Sequence, residues 1–262
     1  MTIETDGRCL MVSEWRIAAP DITRNHHARE TWLSFLRGTV TPRAPDLRFA
    51  GVLEAWACLG EDGRMWILEI HASEASVDEG MRAWHTVDAR PRSTDNIDAR
   101  LVRSYAGPLI DLAHVAPGAA LRAMESDPDG KTGRRWINVM RWQIRAEIRP
   151  APERFTTVAT MIGPLVVREI VGQRPVMACV ANTGDDTVVF AGLFTSASAL
   201  EAAWQAVRRP GALREATERH LILTEFVAGE VIDLFALAAE AQIGMTPRNQ
   251  PPSPIPASIE GD

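Results

Sequence analysis

AGPLIDL, residues Ala106–Leu112, returns 122 positions later as AGEVIDL, residues Ala228–Leu234, with five of seven residues unchanged. A repeat of this kind decides a fold before local propensity does, because missing it misreads the whole architecture. Two further echoes lie in the same order. MRAWHTVDARP (Met81–Pro91) matches LEAAWQAVRRP (Leu200–Pro210) and sets Trp84 opposite Trp204. SEWRIAA (Ser13–Ala19) matches MRWQIRA (Met140–Ala146) and sets Trp15 opposite Trp142. The offsets run from 120 to 127, and chance does not readily supply three echoes in register.

Each half reads the same way. CLMVSEWRIAA alternates as a strand does, and Pro20-Asp21 opens an amphipathic helix through ITRNHHARETWLSFLRGT. Two strands follow, RFAGVLEAWACL and RMWILEIHA, joined by Gly60-Glu61-Asp62-Gly63, where glycine tolerates the positive φ of a hairpin. A helix over Val77–Ala89 stops before Pro91, and LVRSYAGPLIDLAHV closes the half as a strand. The second half repeats the order. It runs through RWINVMRWQIRAEI, a helix from Pro152 to Val171, PVMACVAN, TVVFAGLFT, a helix from Ala199 past Trp204, and ILTEFVAGEVIDLFAL. The pattern is β-α-β-β-α-β twice, an α+β fold of two tandem ferredoxin-like units. Unit 1 is expected over 8–116, a linker over 117–132, unit 2 over 133–240, and a proline-rich disordered tail over 244–262. A sheet covered by helices on one face leaves the other bare, so the two sheets are expected to cover each other as a pseudo-dimer. The echoed stretch is then the last strand of each unit. Gly107 and Gly229 mark a bulge or close backbone approach, and Asp111 and Asp233 satisfy a neighbouring strand end or turn.

Composition narrows the function classes. Hydrophobic residues make up 46% and charged residues 24%, the balance of a globular domain. The net charge of −6 argues against nucleic acid or an anionic membrane as partner. No apolar run approaches the ~18 residues that a membrane helix needs. Cys9, Cys58 and Cys179 form no CxxC, and with a polar N-terminus they point to a reducing cytoplasm. Dinucleotide, P-loop, HExxH and GxSxG motifs are all missing from the sequence.

The doubled order, Trp84-His85 and Trp204-Gln205 on helices, and RWINVMRW on a first strand together resemble the dimeric α+β barrel group. Within that group they resemble the antibiotic biosynthesis monooxygenase-like domains, over about Cys9–Ala238. A tandem chain of this length is also similar to the ring-opening oxygenases of angucycline biosynthesis. The resemblance implies an oxygenase of aromatic polyketide tailoring, oxidising a phenolic polycyclic ketone or quinone, with C–C ring cleavage as one outcome. It implies dioxygen as co-substrate, and either no tightly bound cofactor or reduced flavin from a partner reductase. A homodimer is compatible with it. Two alternatives stay open: a polyketide cyclase or isomerase working without oxygen, and a haem-binding or haem-degrading protein.

The residues suggest where such chemistry would sit. Five of six histidines lie in the first half, and His71 or His85 is the candidate base, with Asp88 one turn from His85. Asn138 stands where the other half has Met11. A buried amide must find a partner or cost about 1–3 kcal/mol, so with Arg141 it is the candidate oxyanion donor. Trp66 and Trp142 are candidate walls for a flat substrate. Trp84 and Trp204 are read as core filling because both halves keep them. His26 or His27 with Glu30 makes at most half a metal site, so no metal is expected. A non-catalytic binding protein would instead have a filled barrel with no pocket between Trp66, Asn138 and His71.

Overall fold

The computed structural model describes residues 7–17, 25–39, 41–60, 64–85, 99–112, 135–148, 151–170, 175–184 and 186–244. The first half holds β1 (Cys9–Ile17), α1 (Asn25–Thr39), α2 (Ala44–Phe49), β2 (Val52–Leu59), β3 (Met65–His71), α3 (Glu74–His85) and β4 (Ala99–Asp111). The second holds β5 (Trp136–Ile144), α4 (Ala151–Glu169), β6 (Met177–Asn182), β7 (Thr187–Phe194), α5 (Ala197–Arg208), α6 (Ala212–His220), β8 (Leu221–Asp233) and α7 (Leu234–Gly244). The expected linker lies outside the described residues, as does the expected tail beyond Gly244.

The eight strands close into one antiparallel barrel in the order β1-β3-β2-β8-β5-β7-β6-β4. The two sheets therefore do more than face each other, because they pair edge to edge at two joints. Leu109–Asp111 of β4 pair with Cys179–Ala181 of β6. Val231–Asp233 of β8 pair with Trp56–Cys58 of β2. Those two segments are the echoed sequence: the repeat marks where each half's last strand leaves its own sheet and joins the other. A Cβ on Gly107 would overlap the backbone carbonyl of Asn182, and one on Gly229 would come within 2.9 Å of Leu59 O and Cys58 Sγ. Both glycines are close-approach sites, as their place in a strand suggests.

Strand alternation sorts side chains into three layers. Leu10, Val12, Leu68, Ile137, Val139 and Val227 belong to the cluster that fills the barrel. Outward-facing residues of the first half pack under its helices with Trp15, Trp32, Phe35 and Trp84. Those of the second half pack with Met140, Phe190, Phe194 and Val158. Burial on both faces explains why β3 and β7 are buried along their whole length.

Three features depart from the sequence reading. Arg48 and Phe49, read as strand, end α2, and Phe49 is exposed. Leu234–Leu237, read as strand, begin α7. The cause is Asp233, whose Oδ1 accepts from Phe235 N at 3.0 Å and Ala236 N at 2.9 Å, a helix N-cap. Asp111 instead meets Arg8 at 3.6 Å. Third, Leu234, Phe235, Leu237 and Ala238 pack into the first half's outer core. The chain's last described helix thus covers the opposite half, and a unit ending at 240 would cut through it.

Candidate functional site

The barrel interior is closed by charge. Glu14, fully buried, accepts from Arg103 at 2.6 Å, Arg64 at 2.9 Å and Arg16 at 3.2 Å. Arg103 also pairs with Glu225 across the halves. In register, Glu14 stands opposite Arg103 on β1 and β4, and Arg141 stands opposite Glu225 on β5 and β8. The duplicated positions carry swapped charges. Burial pushes the Glu14 carboxyl up, but hydrogen bonds from Arg64 and Arg103 outweigh it and hold it below the usual range. For Glu225 burial wins over Arg103 and Arg141, and its pKa is raised. Beside this network Trp66, Tyr105, Arg141 and Glu225 line a cavity of only ≈ 10 Å³, about one water molecule's worth.

The expected site residues are therefore divided among layers. Trp66 and Arg141 line the same small cavity inside the filled barrel, where Arg141 lies 4.3 Å from the Tyr105 ring centroid. His71 is fully buried on the outer face of β3. Its Nδ1 is 3.0 Å from Ser76 O and its Nε2 3.8 Å from Glu69 Oε2, while Glu69 Oε1 accepts from Trp84 Nε1 at 2.9 Å. Gly80 leaves room for the imidazole, since a Cβ there would lie 2.6 Å from His71 Cε1. Asn138 is fully buried on the outer face of β5, and neither amide atom has a protein partner among the described residues. His71 and Asn138 thus sit outside the barrel, under the helices of different halves, and the fold does not bring them together. The His85 side chain lies outside the described residues, as do those of His26 and His27. The three cysteines are buried, and burial pushes the Cys58 and Cys179 thiols up to about 12, so they are not poised for reaction.

Trp142 is placed differently. Beneath α4 lies an apolar cavity of ≈ 80 Å³, lined by Met140, Trp142, Phe155, Ile162, Phe190 and Leu221 of the second half and by Ile110 and Leu112 of the first, among others. Gly163 lines it too, and the next residue is Pro164. Proline inside a helix removes a backbone donor and weakens the turn. Outside the cavity opens a groove of ≈ 820 Å³ bounded by Arg145, Trp204, Arg208, Arg209, Arg214, Glu218, Ile222 and Leu223. Trp142, Val207, Thr217 and Leu221 belong to both linings, so cavity and groove meet at these residues. The groove lies within the ~300–1,000 Å³ typical of ligand sites.

The groove's residues were largely missed in sequence. Trp204 stacks on Phe226 at 4.1 Å and carries the Arg208 guanidinium at 5.6 Å. It packs, partly buried, against the second half's outer core and also lines the groove. The helix α6, with Leu213 and Thr217 buried and Arg214 outward, forms one side. Its ALREATERH pattern was the available signal, since apolar positions recur at near-helical spacing.

No protein-family model matches the sequence, and no curated protein matches it. Solved structures do match in fold. TA0507, provisionally named a chlorite dismutase, aligns with TM-score 0.52 and 11% identity over 89% of this chain and 98% of its own. A mutant chlorite dismutase from Candidatus Nitrospira defluvii aligns with TM-score 0.55 and 9% identity over 90% of this chain and 95% of its own. A provisionally named monooxygenase from Fusobacterium nucleatum reaches TM-score 0.49 at 9% identity, covering 87% and 92%, too distant to carry an argument. At these identities the likeness establishes the α+β barrel fold and nothing about chemistry. Among the described residues, no helix is long and apolar enough to cross a membrane.

Proposed function

We propose that the chain is an oxygenase-type oxidoreductase built from two fused ferredoxin-like units, acting on a flat phenolic polycyclic ketone or quinone of the aromatic polyketide kind. The observation that carries this reading is Trp142, which walls an apolar cavity and the groove leading to it. A ring seated there stacks on indole and loses its contact with water, so a reactive intermediate is protected from quenching. The cavity alone is too small for a polycyclic body, and the groove supplies the remainder. The ionised phenol is the electron donor and dioxygen the acceptor. Reduced flavin delivered by a separate reductase is the alternative donor. Oxidative ring opening, as in the angucycline enzymes, is the finer form of this proposal.

Haem fits this cleft poorly. Iron in haem proteins takes His, Cys or Tyr, or Met together with His, and the described residues lining the cavity and groove offer only the Met140 thioether. A second reading, a binding protein without catalysis, is favoured by two facts: the barrel is filled, with no pocket joining Trp66, Asn138 and His71 among the described residues, and no acid or base side chain lines the Trp142 cavity.

Oxygen uptake measured with phenolic polycyclic quinones, with and without a flavin reductase system, separates the readings. The oxygenase reading predicts substrate-dependent uptake that Trp142→Ala lowers at least about tenfold in kcat/KM, or ~1.4 kcal/mol. Tight binding with no uptake would leave the binding-protein reading.

A further inference from the structure

The groove outside the Trp142 cavity is more basic than the molecule around it. Four arginines line it, Arg145, Arg208, Arg209 and Arg214, against one carboxylate, Glu218, in a chain whose net charge is −6. Two of the four are already committed. Arg209 pairs with Glu169 at 2.6 Å, and Arg214 pairs with Glu218 at 2.6 Å while donating to Arg208 O at 2.9 Å. The other two have no carboxylate partner among the described residues. Arg208 lies over Trp204, its guanidinium 5.6 Å from the ring centroid. Arg145 holds its Nε away from solvent with no hydrogen-bond acceptor. A buried donor without an acceptor is costly, and a planar guanidinium fork is made for an oxyanion of matching geometry.

We infer that cavity and groove form one site for an amphipathic carboxylate, with its apolar or aromatic body against Trp142 and its carboxylate held by Arg145 and Arg208. The inference rests on the reading of Trp142 as the wall of a ligand site, and it adds the ligand's charge. The apolar cavity selects the body, and the unpaired guanidinium groups select the head. Trp204, stacked on Phe226, extends the apolar wall into the groove, so the body need not end where the cavity does.

The test is equilibrium binding of two fluorescent probes to the full chain: anthracene-9-carboxylate and its methyl ester. The site predicts at least about tenfold tighter binding of the carboxylate at low salt, with the preference shrinking as salt is raised to about 0.5 M. Arg145→Gln with Arg208→Gln abolishes the preference while leaving ester affinity within about twofold. Arg208→Gln alone, on an exposed helix position, lowers it severalfold and guards against a double variant that fails to fold. Equal affinity for the two probes, or a preference that survives in both variants, overturns the inference. Binding is read without turnover, so an absence of oxygen uptake would defeat the oxygenase reading alone.

Discussion

The two halves share a strand order, a strand bulge and two tryptophan positions, yet they use them oppositely. Each half's first and last strands slip register at one place, between Glu14 and Trp15 and between Arg141 and Trp142. In the first half Trp15 packs against Phe35 and Trp84, with centroids at 6.3 and 5.8 Å, and Trp84 hydrogen-bonds to a buried glutamate. In the second half Trp142 walls a cavity and Trp204 lies in an open groove. Where β3 presents Glu69 to Trp84, β7 has Gly192 at the register-equivalent place. The side chain that anchors Trp84 inward thus has no counterpart beneath Trp204. Both halves build the barrel together, and the second half's helix–sheet layer leaves the Trp142 cavity and the groove beside Trp204.

The sharpest way to break this comparison is at the two joints. Gly107→Ala would drive a Cβ into the Asn182 carbonyl, while Gly229→Ala meets Leu59 O and Cys58 Sγ at 2.9 Å. Overpacking costs typically 1–3 kcal/mol, and more where backbone must move. Gly107→Ala is expected to cost about 4 kcal/mol or prevent folding, and Gly229→Ala about 2 kcal/mol, by denaturant unfolding. Equal costs, or the reverse order, would contradict the joint geometry.

The joints also show what was legible in sequence. Glycine followed three residues later by Ile-Asp was visible as a repeat, because both joints demand the same close approach and the same pairing. The strand order followed from alternation and turn residues. The site was harder. Comparing residue identities between halves singles out His71 and Asn138, which differ from their counterparts but are sealed under helices. It dismisses Trp204, which is retained but faces a groove. What distinguishes Trp142 from Trp15 is the neighbour each meets, and that depends on α4, α6 and the long-range crossing of α7. None of these contacts has a local signature. Leu234–Leu237 show the same limit, since an apolar run continues a strand by pattern and becomes a helix only because Asp233 caps it.

The swapped charges at the barrel end give the next prediction. Glu14 has a lowered native pKa, so its contribution to stability is present above the ordinary carboxylate range and is lost as pH falls through its native value. Glu225 has a raised one, so its favourable form is the protonated one, and its contribution fades as pH rises through the native value. At neutral pH, Glu14→Gln is expected to cost about 2 kcal/mol, because buried charged hydrogen bonds are lost. Glu225→Gln should change stability by less than about 1 kcal/mol. Thermal unfolding from neutral to acidic pH checks both: the gap between wild type and Glu14→Gln should close on acidification. A gap that widens would mean that the Glu14 network is not what holds the barrel end.

A gain in stability is expected at Asn138, whose counterpart is Met11. Its amide has no protein partner among the described residues of a buried layer, so Asn138→Leu removes an unsatisfied group and should raise stability by about 1 kcal/mol. A loss of similar size would mean that the amide is satisfied by a bound molecule, and that the layer is wetter than its apolar lining implies.

The most direct test of the division between halves is to watch the duplicated tryptophans together. Indole N–H resonances, assigned by single Trp→Phe variants, would be followed by NMR while anthracene-9-carboxylate is titrated into the full chain. Signals from Trp142 and Trp204 are predicted to shift in a saturable way with one midpoint, while those of Trp15 and Trp84 stay fixed. Shifts confined to Trp15 and Trp84, or no saturable shift at Trp142, would contradict the placement of the ligand site in the second half.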